Sequence, residues 1–405
     1  ETIMPRLLYL QSGGPTAVLN GSAQGVIETA RAQGVPVCAA ANGLAGLLAG
    51  ELYDCSSAPA DSIRRLGWLP GASFGTSRHV LAAYDEVPEQ WARLAEVVRQ
   101  FDIGYVLLNG GNGSMETALR LGELAQRFDL PLLALGVPKT IDNDLEGTDF
   151  SPGFPSAAKY LASSLREVIH DMRSMARGRV FIMETMGRHV GWLAAACSLA
   201  APDGEPAPLL LLPEVAFDEA RVLQAVQQRL ARDGYCAIAV AEGLRQADGR
   251  FVAQMHADAV YGHEQLGGAG AWLAQRLQAQ LGVHAHVALV DCQQRAAMHL
   301  ASATDARLAY AAGAACVHWA LAGQGGVMAG LQRSADDWVV TPVPLATVAG
   351  LERRLPAAFI AEDGLAVTPA FAEHVRPMLQ GEVALPYVNG LPDYRTLSWP
   401  VLYSS

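Results

Sequence analysis

The sequence predicts an α/β protein built from two doubly wound, mostly parallel-sheet, Rossmann-like domains, and three observations predict it. Short apolar runs alternate with amphipathic runs along most of the chain, the pattern of strands joined by crossover helices. The 405 residues include 40 glycines, many for a chain of this length, as an architecture of tight strand-to-helix turns demands. That length is also more than one core comfortably holds, so two domains are expected.

Taken in order, Leu7–Leu10 reads as a strand, Ser12–Pro15 as a turn and Ala17–Ala32 as a helix. Tyr105–Leu108 is a strand and Asn109–Ser114 a turn. Met115–Phe128 is a helix whose apolar face carries Ala118, Leu119, Leu121 and Leu124. Pro131–Leu135 is a strand that runs into VPKTIDND, and Val180–Met183 is a strand followed by the turn METMGRHVG and a helical Trp192–Ala201. Leu209–Leu212, a helix over Asp218–Leu230 and Cys236–Val240 make a further βαβ unit, which Trp272–Leu281 and Val287–Val290 continue. Pro202–Pro208 is a short loop, Gly323–Gly330 a glycine-rich connector, and the stretch from Gln380 to Tyr394 an ordered loop.

Composition narrows the function. The chain is 51% hydrophobic and 17% charged, with a net charge of -11 and no run of Lys or Arg, so it is expected not to bind nucleic acid. An anionic substrate must then be met by a few placed arginines and backbone amides. The six scattered cysteines, Cys38, Cys55, Cys197, Cys236, Cys292 and Cys316, form no CxxC pair and read as reduced core thiols. No run approaches the roughly 20 apolar residues of a membrane span, and no basic, apolar leader precedes LLYL. A soluble cytoplasmic protein is expected.

Every motif that can carry chemistry lies just after a predicted strand, where ligands of parallel sheets sit. LNGGNGSMETA (Leu108 to Ala118) places three glycines between strand and helix. Gly111, Gly113 and Ser114 there suit a phosphate cradle at a helix N-terminus, although the same glycines would also serve an ordinary tight turn. SGGPT (Ser12 to Thr16) repeats the arrangement, and two such turns suggest one shared polyphosphate site. Neither matches GxGxxG, and no GxxxxGK[ST] loop occurs, which disfavours nicotinamide enzymes and P-loop kinases.

PKTIDNDLEGTD (Pro138 to Asp149) brings Lys139, Thr140, Asp142 and Asp144 together past a buried strand. One carboxylate can take a hydroxyl proton, another can hold Mg²⁺, and the lysine can neutralise a migrating phosphate. In METMGRHVG, Gly187 and Arg188 offer an amide and a bidentate donor, with His189 more suited to orienting than to catalysis. Glu242 of AVAEGL can bond sugar hydroxyls or be solvated, and Arg295 of DCQQR can bind a phosphate.

With GGNGS, PKTIDND, METMGR, the AEG turn and QQR in this order and spacing, the chain resembles the phosphofructokinase family, most closely its pyrophosphate-dependent branch. The likeness runs from about Leu7 to Arg295 and, more weakly, to LPDY at Leu391–Tyr394. It implies transfer of a phosphoryl group from pyrophosphate to the 1-hydroxyl of fructose 6-phosphate with Mg²⁺, in glycolysis and reversibly in gluconeogenesis, with the active site in a cleft between the two domains. The implied donor domain is 1–155 plus about 293–345, and the sugar domain is 156–292 plus about 346–405.

The resemblance makes Asp142 the base, with Lys139 and Arg188 acting on the transferring phosphate and Asp144, with Asn112, at the metal. It gives Thr140, Met186, Gly187, Glu242 and Arg295 to the sugar phosphate, helped by Arg179 and His286 from a neighbouring subunit of a homodimer or homotetramer. Gly14, Arg78, Gly111, Gly113 and Ser114 hold the donor. Three positions depart from the family: Asn112 replaces a metal-binding aspartate, Cys292 a histidine or tyrosine, and the donor signature is mixed. Lys139 is typical of pyrophosphate enzymes, whereas Gly113 is typical of ATP enzymes. Alternatives are an ATP-dependent phosphofructokinase, a non-catalytic sugar-phosphate sensor and a Rossmann oxidoreductase.

Overall fold

The computed structural model describes residues 4–252, 256–258 and 263–403. In chain order the strands are β1 (Arg6–Gln11), β2 (Val37–Ala40), β3 (Leu52–Asp54), β4 (Ile103–Gly110), β5 (Leu133–Pro138), β6 (Arg179–Thr185), β7 (Leu209–Leu211) and β8 (Tyr235–Ala241). They continue with β9 (His256–Asp258), β10 (His263–Gln265), β11 (Ala285–Leu289), β12 (Val327–Ser334), β13 (Asp337–Pro344), β14 (Tyr387–Val388), β15 (Leu391–Pro392) and β16 (Val401–Leu402). The helices are α1 (Leu19–Ala32), α2 (Gly43–Ala49), α3 (Ala60–Arg65), α4 (Pro88–Gln100), α5 (Asn112–Arg127) and α6 (Phe154–Ser174). They continue with α7 (Trp192–Ala196), α8 (Glu219–Asp233), α9 (Ala269–Leu281), α10 (Gln293–Ala296), α11 (Ala303–Leu321) and α12 (Pro369–Val375). Among the described residues, no helix is long and apolar enough to cross a membrane.

The chain forms two compact units. The first comprises residues up to Ser156, Arg295–Glu352 and Gly381 onward; the second comprises Ala157–Gln294 and Arg353–Gln380. In the first, an eight-stranded sheet runs β13-β12-β5-β4-β1-β2-β3-β16. Its centre, from β12 to β2, is parallel, and β13, β3 and β16 join antiparallel. Leu7, Leu8, Tyr9 and Leu10 of β1 are all fully buried, as a parallel strand covered on both faces requires. Trp91, Leu94, Ala95 and Val98 recur at helical spacing along α4 and pack with Val106, Leu108 and Leu124. Helix α1 approaches α11 so closely that a Cβ at Gly25 would lie 2.2 Å from the Tyr310 carbonyl oxygen.

The second unit holds a four-stranded parallel sheet, β11-β6-β8-β7. All seven residues of β8 are buried. Asp218 starts α8 by accepting the Arg221 N–H, and Gly234 closes it in the left-handed conformation at φ 85°.

The structure revises three sequence expectations. The stretch from residue 381 leaves the second unit and returns to the first, because β16 pairs with β3 and the Trp399 ring packs 4.5 Å from Phe74. The stretch Gly323–Gly330 is a connector only at its start: Val327 opens β12, which binds β5 and turns back as β13. Cys292 is exposed, whereas the other five cysteines are buried as expected.

Candidate active site

In the first sheet, β1 lies between β4 and β2, so the chain steps to opposite sides of β1. The carboxyl ends of β1 and β4 therefore flank a topological switch point, where such sheets bind ligands. SGGPT follows β1 and GGNGS follows β4. Ser12 N–H donates to the Asn109 carbonyl, tying the two turns together, while Gly13 N–H donates to the Ser77 carbonyl at 3.0 Å. Helix α5 starts at Asn112, so Asn112 and Gly113 open the first turn, whose amides and dipole favour an anion. The Ser114 N–H closes back on the Gly111 carbonyl at 3.1 Å. Ser114 packs onto Gly110 so tightly that a Cβ there would meet its Oγ.

Beside these turns stands Lys139, just past the end of β5. It is only 6% exposed, and its Nζ donates to the Gly14 carbonyl at 2.8 Å. Burial pulls its ammonium down to about 8; Asp142 and Asp144 oppose the fall, while Arg295 and Arg78 add to it. Arg295, given by the resemblance to the sugar phosphate, leans over Gly14: a Cβ there would be 2.6 Å from its Nη1. Lys139, Arg78 and Arg295 thus concentrate positive charge where the turns expose amides, in a chain that is acidic as a whole.

The loop after Lys139 is fixed by its own backbone. Thr140 Oγ1 accepts the Asp142 N–H at 3.1 Å, and Thr140 N–H donates to the Pro152 carbonyl. Asn143 adopts φ 58° and its Oδ1 accepts the Ser151 N–H, turning the chain between the two aspartates. Burial, then the charges of Asp142 and Glu352, push the Asp144 carboxyl up to about 7. Asn112 donates Nδ2–H to the Asp144 carbonyl, while its Oδ1 is buried without a partner. A crowded carboxylate beside an unsatisfied amide oxygen fits a divalent cation. Among the described residues no group of three or more His, Cys, Asp or Glu is placed to hold a metal ion.

The second unit assembles a separate set at the ends of β6, β8 and β11. Glu242 Oε1 accepts the Gly187 N–H at 3.2 Å, and burial pushes its carboxyl up to about 7. It is held by the turn and is not simply solvated. Gly187 has φ 127°, and a Cβ there would meet the Val190 carbonyl oxygen at 2.5 Å, so only glycine fits. Arg188 and Arg245 flank the Phe251 ring at 5.5 and 4.5 Å, and Arg245 Nη2 meets His189 Nδ1, the arrangement of an orienting histidine.

Two residues of this set were not legible in the motifs. Gln294 accepts the Met186 N–H through Oε1 and donates to the Asp291 carbonyl, so the glutamine before Arg295 holds the MGR turn. Glu184 accepts from the Gly268 and Gly270 amides and so anchors the start of α9 beside the same strand. Arg179 and His286 are not brought to this cluster. They sit near the amino ends of β6 and β11, and Arg179 lies roughly 20 Å along its strand from Thr185. His286 is exposed on the edge strand.

Residues 6–320 match the family model described as phosphofructokinase. The chain is 45% identical to the pyrophosphate–fructose 6-phosphate 1-phosphotransferase of Methylococcus capsulatus, over 96% of this chain and 95% of that one. It is also 45% identical to the protein of that name from Xanthomonas campestris, over 96% of both chains. A solved pyrophosphate-dependent phosphofructokinase from Nitrosospira multiformis superposes with a TM-score of 0.91 at 38% identity, covering 99% of this chain and 98% of its own.

Proposed function

The chain belongs to the phosphofructokinase family, and from that premise we infer that it is a pyrophosphate-dependent phosphotransferase. It moves a phosphoryl group from pyrophosphate to the 1-hydroxyl of fructose 6-phosphate, giving fructose 1,6-bisphosphate and phosphate. The observation that carries this reading is Lys139, whose buried ammonium stands at the Gly13–Gly14 turn within reach of the Asp142 and Asp144 charges.

The residue roles follow from the chemistry. Pyrophosphate lacks a base and ribose that would supply remote binding energy, so charge at the phosphates must supply it. Lys139, Arg78 and Arg295 provide that charge, with the amides of Gly111 and Gly113 and the Ser114 hydroxyl as further donors. Asp142 accepts the proton of the 1-hydroxyl as its oxygen bonds to phosphorus and the bridging P–O bond breaks; in the reverse direction it returns the proton. Thr140 keeps the Asp142 backbone in place. Met186, Gly187, Arg188 and Glu242 bind the sugar phosphate, and Gln294 and Glu242 hold their turn. Asp144 and Asn112 would hold Mg²⁺, which when bound neutralises phosphate charge.

A cytoplasmic homodimer or homotetramer completes the reading. Its support is the edge strand β11, which leaves His286, Val287 and Leu289 exposed, together with the remoteness of Arg179 and His286 from the sugar-binding set of their own chain. The deciding experiment compares pyrophosphate and ATP at saturating fructose 6-phosphate and Mg²⁺. Turnover with pyrophosphate should exceed that with ATP at least about tenfold, or roughly 1.4 kcal/mol. Faster turnover with ATP would transfer the assignment to the nucleotide branch.

A further inference from the structure

Asp305 is fully buried on α11, a helix that bears none of the residues assigned above. Among the described residues, no cation hydrogen-bonds to it. Its carboxylate instead accepts the Gly153 N–H at 3.0 and 3.2 Å, the Ser156 N–H at 3.1 Å and the Ser156 hydroxyl at 2.6 Å. These donors lie around the first turn of α6, where a negative charge is stabilised by the helix dipole. Ser302 completes the cluster: its N–H donates to Ser156 Oγ, and its own Oγ accepts the Asp305 N–H.

The segment gripped in this way is the back wall of the catalytic loop. Gly153 pairs with Thr140 in a parallel bridge, Pro152 accepts the Thr140 N–H, and Ser151 donates to Asn143 Oδ1. Thr140 in turn accepts the Asp142 N–H. Gly153 also presses on the first glycine turn: at φ 110°, a Cβ there would come within 2.4 Å of Thr16 Cγ2. One carboxylate therefore fastens the strip of backbone that both the SGGPT turn and the Thr140–Asp144 loop lean on.

We propose that Asp305 is a positioning residue for phosphoryl transfer, holding Gly153 and Ser156 so that Thr140 presents Asp142 to the acceptor hydroxyl. The proposal rests on the activity inferred above. A carboxylate can accept from all of these donors at once, whereas the amide introduced by Asp305→Asn would point an NH₂ group at one of them. The loop would then relax, and the loss would fall on the reacting geometry more than on binding, since misplacement of even 1 Å costs up to about 10²-fold in rate.

The test begins with wild type, assayed with pyrophosphate and separately with ATP; if only ATP supports turnover, the donor assignment fails and the positioning test proceeds with ATP. Asp305→Asn and Ser156→Ala are then measured well below their own melting temperatures. Asp305→Asn should lower kcat about tenfold or more, and Ser156→Ala about threefold, with KM for both substrates within about twofold of wild type. Asp218→Ala, which removes the cap of α8, is the control and should lose thermal stability while keeping kcat. Folded Asp305→Asn and Ser156→Ala enzymes with wild-type kcat, or with raised KM at unchanged kcat, would reduce Asp305 to a helix cap. If Asp305→Asn does not fold, Ser156→Ala decides on the same criteria.

Discussion

Replacing Lys139 by methionine keeps the length of the side chain and removes its charge. In the free enzyme the ammonium is already strained electrostatically: the fall from 10.5 to about 8 corresponds to about 3 kcal/mol against the charged form. A pyrophosphate anion at the Gly13–Gly14 turn offsets that cost, since a unit charge pair at about 4 Å gains about 4 kcal/mol at an effective dielectric constant near 20. Part of that gain is realised only as charge shifts onto the departing phosphate. Lys139→Met should therefore lower kcat/KM for pyrophosphate by about 10²-fold and by no less than about tenfold. The assay couples fructose 1,6-bisphosphate formation to aldolase and NADH oxidation across a range from about pH 6 to about pH 9.5. Because the free enzyme loses this proton near pH 8, wild-type kcat/KM should fall above that value, and the residual activity of Lys139→Met should lack that limb. The stability consequence has the opposite sense. Between about 8 and 10.5 the unfolded chain binds more protons than the folded one, so this lysine's penalty to folding disappears as pH rises through that window. A Lys139→Met enzyme within threefold or so of wild type, or one with the same basic limb, would refute the role given to Lys139.

Three further outcomes are expected. Asp142→Asn keeps size and hydrogen bonding but cannot accept a proton, and kcat should drop by about 10²–10⁴ with substrate KM little changed, measured by steady-state kinetics. Gly113→Asp should fold and keep pyrophosphate turnover within about threefold, since a Cβ there makes only an ordinary 3.6 Å contact with Val80, and any ATP turnover should fall further. ADP should not activate the enzyme and phosphoenolpyruvate should not inhibit it. Glu28 of α1, which accepts from Gln24 and from the Tyr310 hydroxyl, sets a carboxylate where an effector phosphate would need a cation. A sigmoidal fructose 6-phosphate curve straightened by ADP would contradict that.

Local signals made most of the fold legible. The long central strands announce themselves as apolar runs closed by glycines, and each glycine turn proved to sit at a strand end. Within the eight-stranded sheet, the strands without such a signal, β2, β3, β12, β13 and β16, are short or lie toward its margins. Their pairing is decided by segments far away in sequence, as when Val401 meets Tyr53. The site divides in the same way. Lys139, Thr140, Asp142 and Asp144 follow one another and are visible as a string. The resemblance gives Arg295 to the sugar phosphate, and nothing local to QQR reveals that its guanidinium leans over Gly14. Asp305 was hidden for a related reason. Ser302-x-x-Asp305 resembles a capping signature and Ser302 does cap α11, but the carboxylate serves the start of α6, 149 residues earlier.

The first unit's discontinuity has a consequence for the order in which the chain can mature. When residue 156 has been synthesised, the sheet is complete only from β5 to β3. Helix α1 lacks α11, against which Gly25 is fitted, β5 lacks β12, and β3 lacks β16. At about 5–20 residues per second, the ribosome needs roughly 10–50 s more to deliver Val401. During that interval the apolar faces destined for α11 and β12 are a natural target for holding chaperones. The second unit has an entirely parallel sheet encoded between Ala157 and Gln294, so its strands are all available sooner than those of the unit that begins the chain.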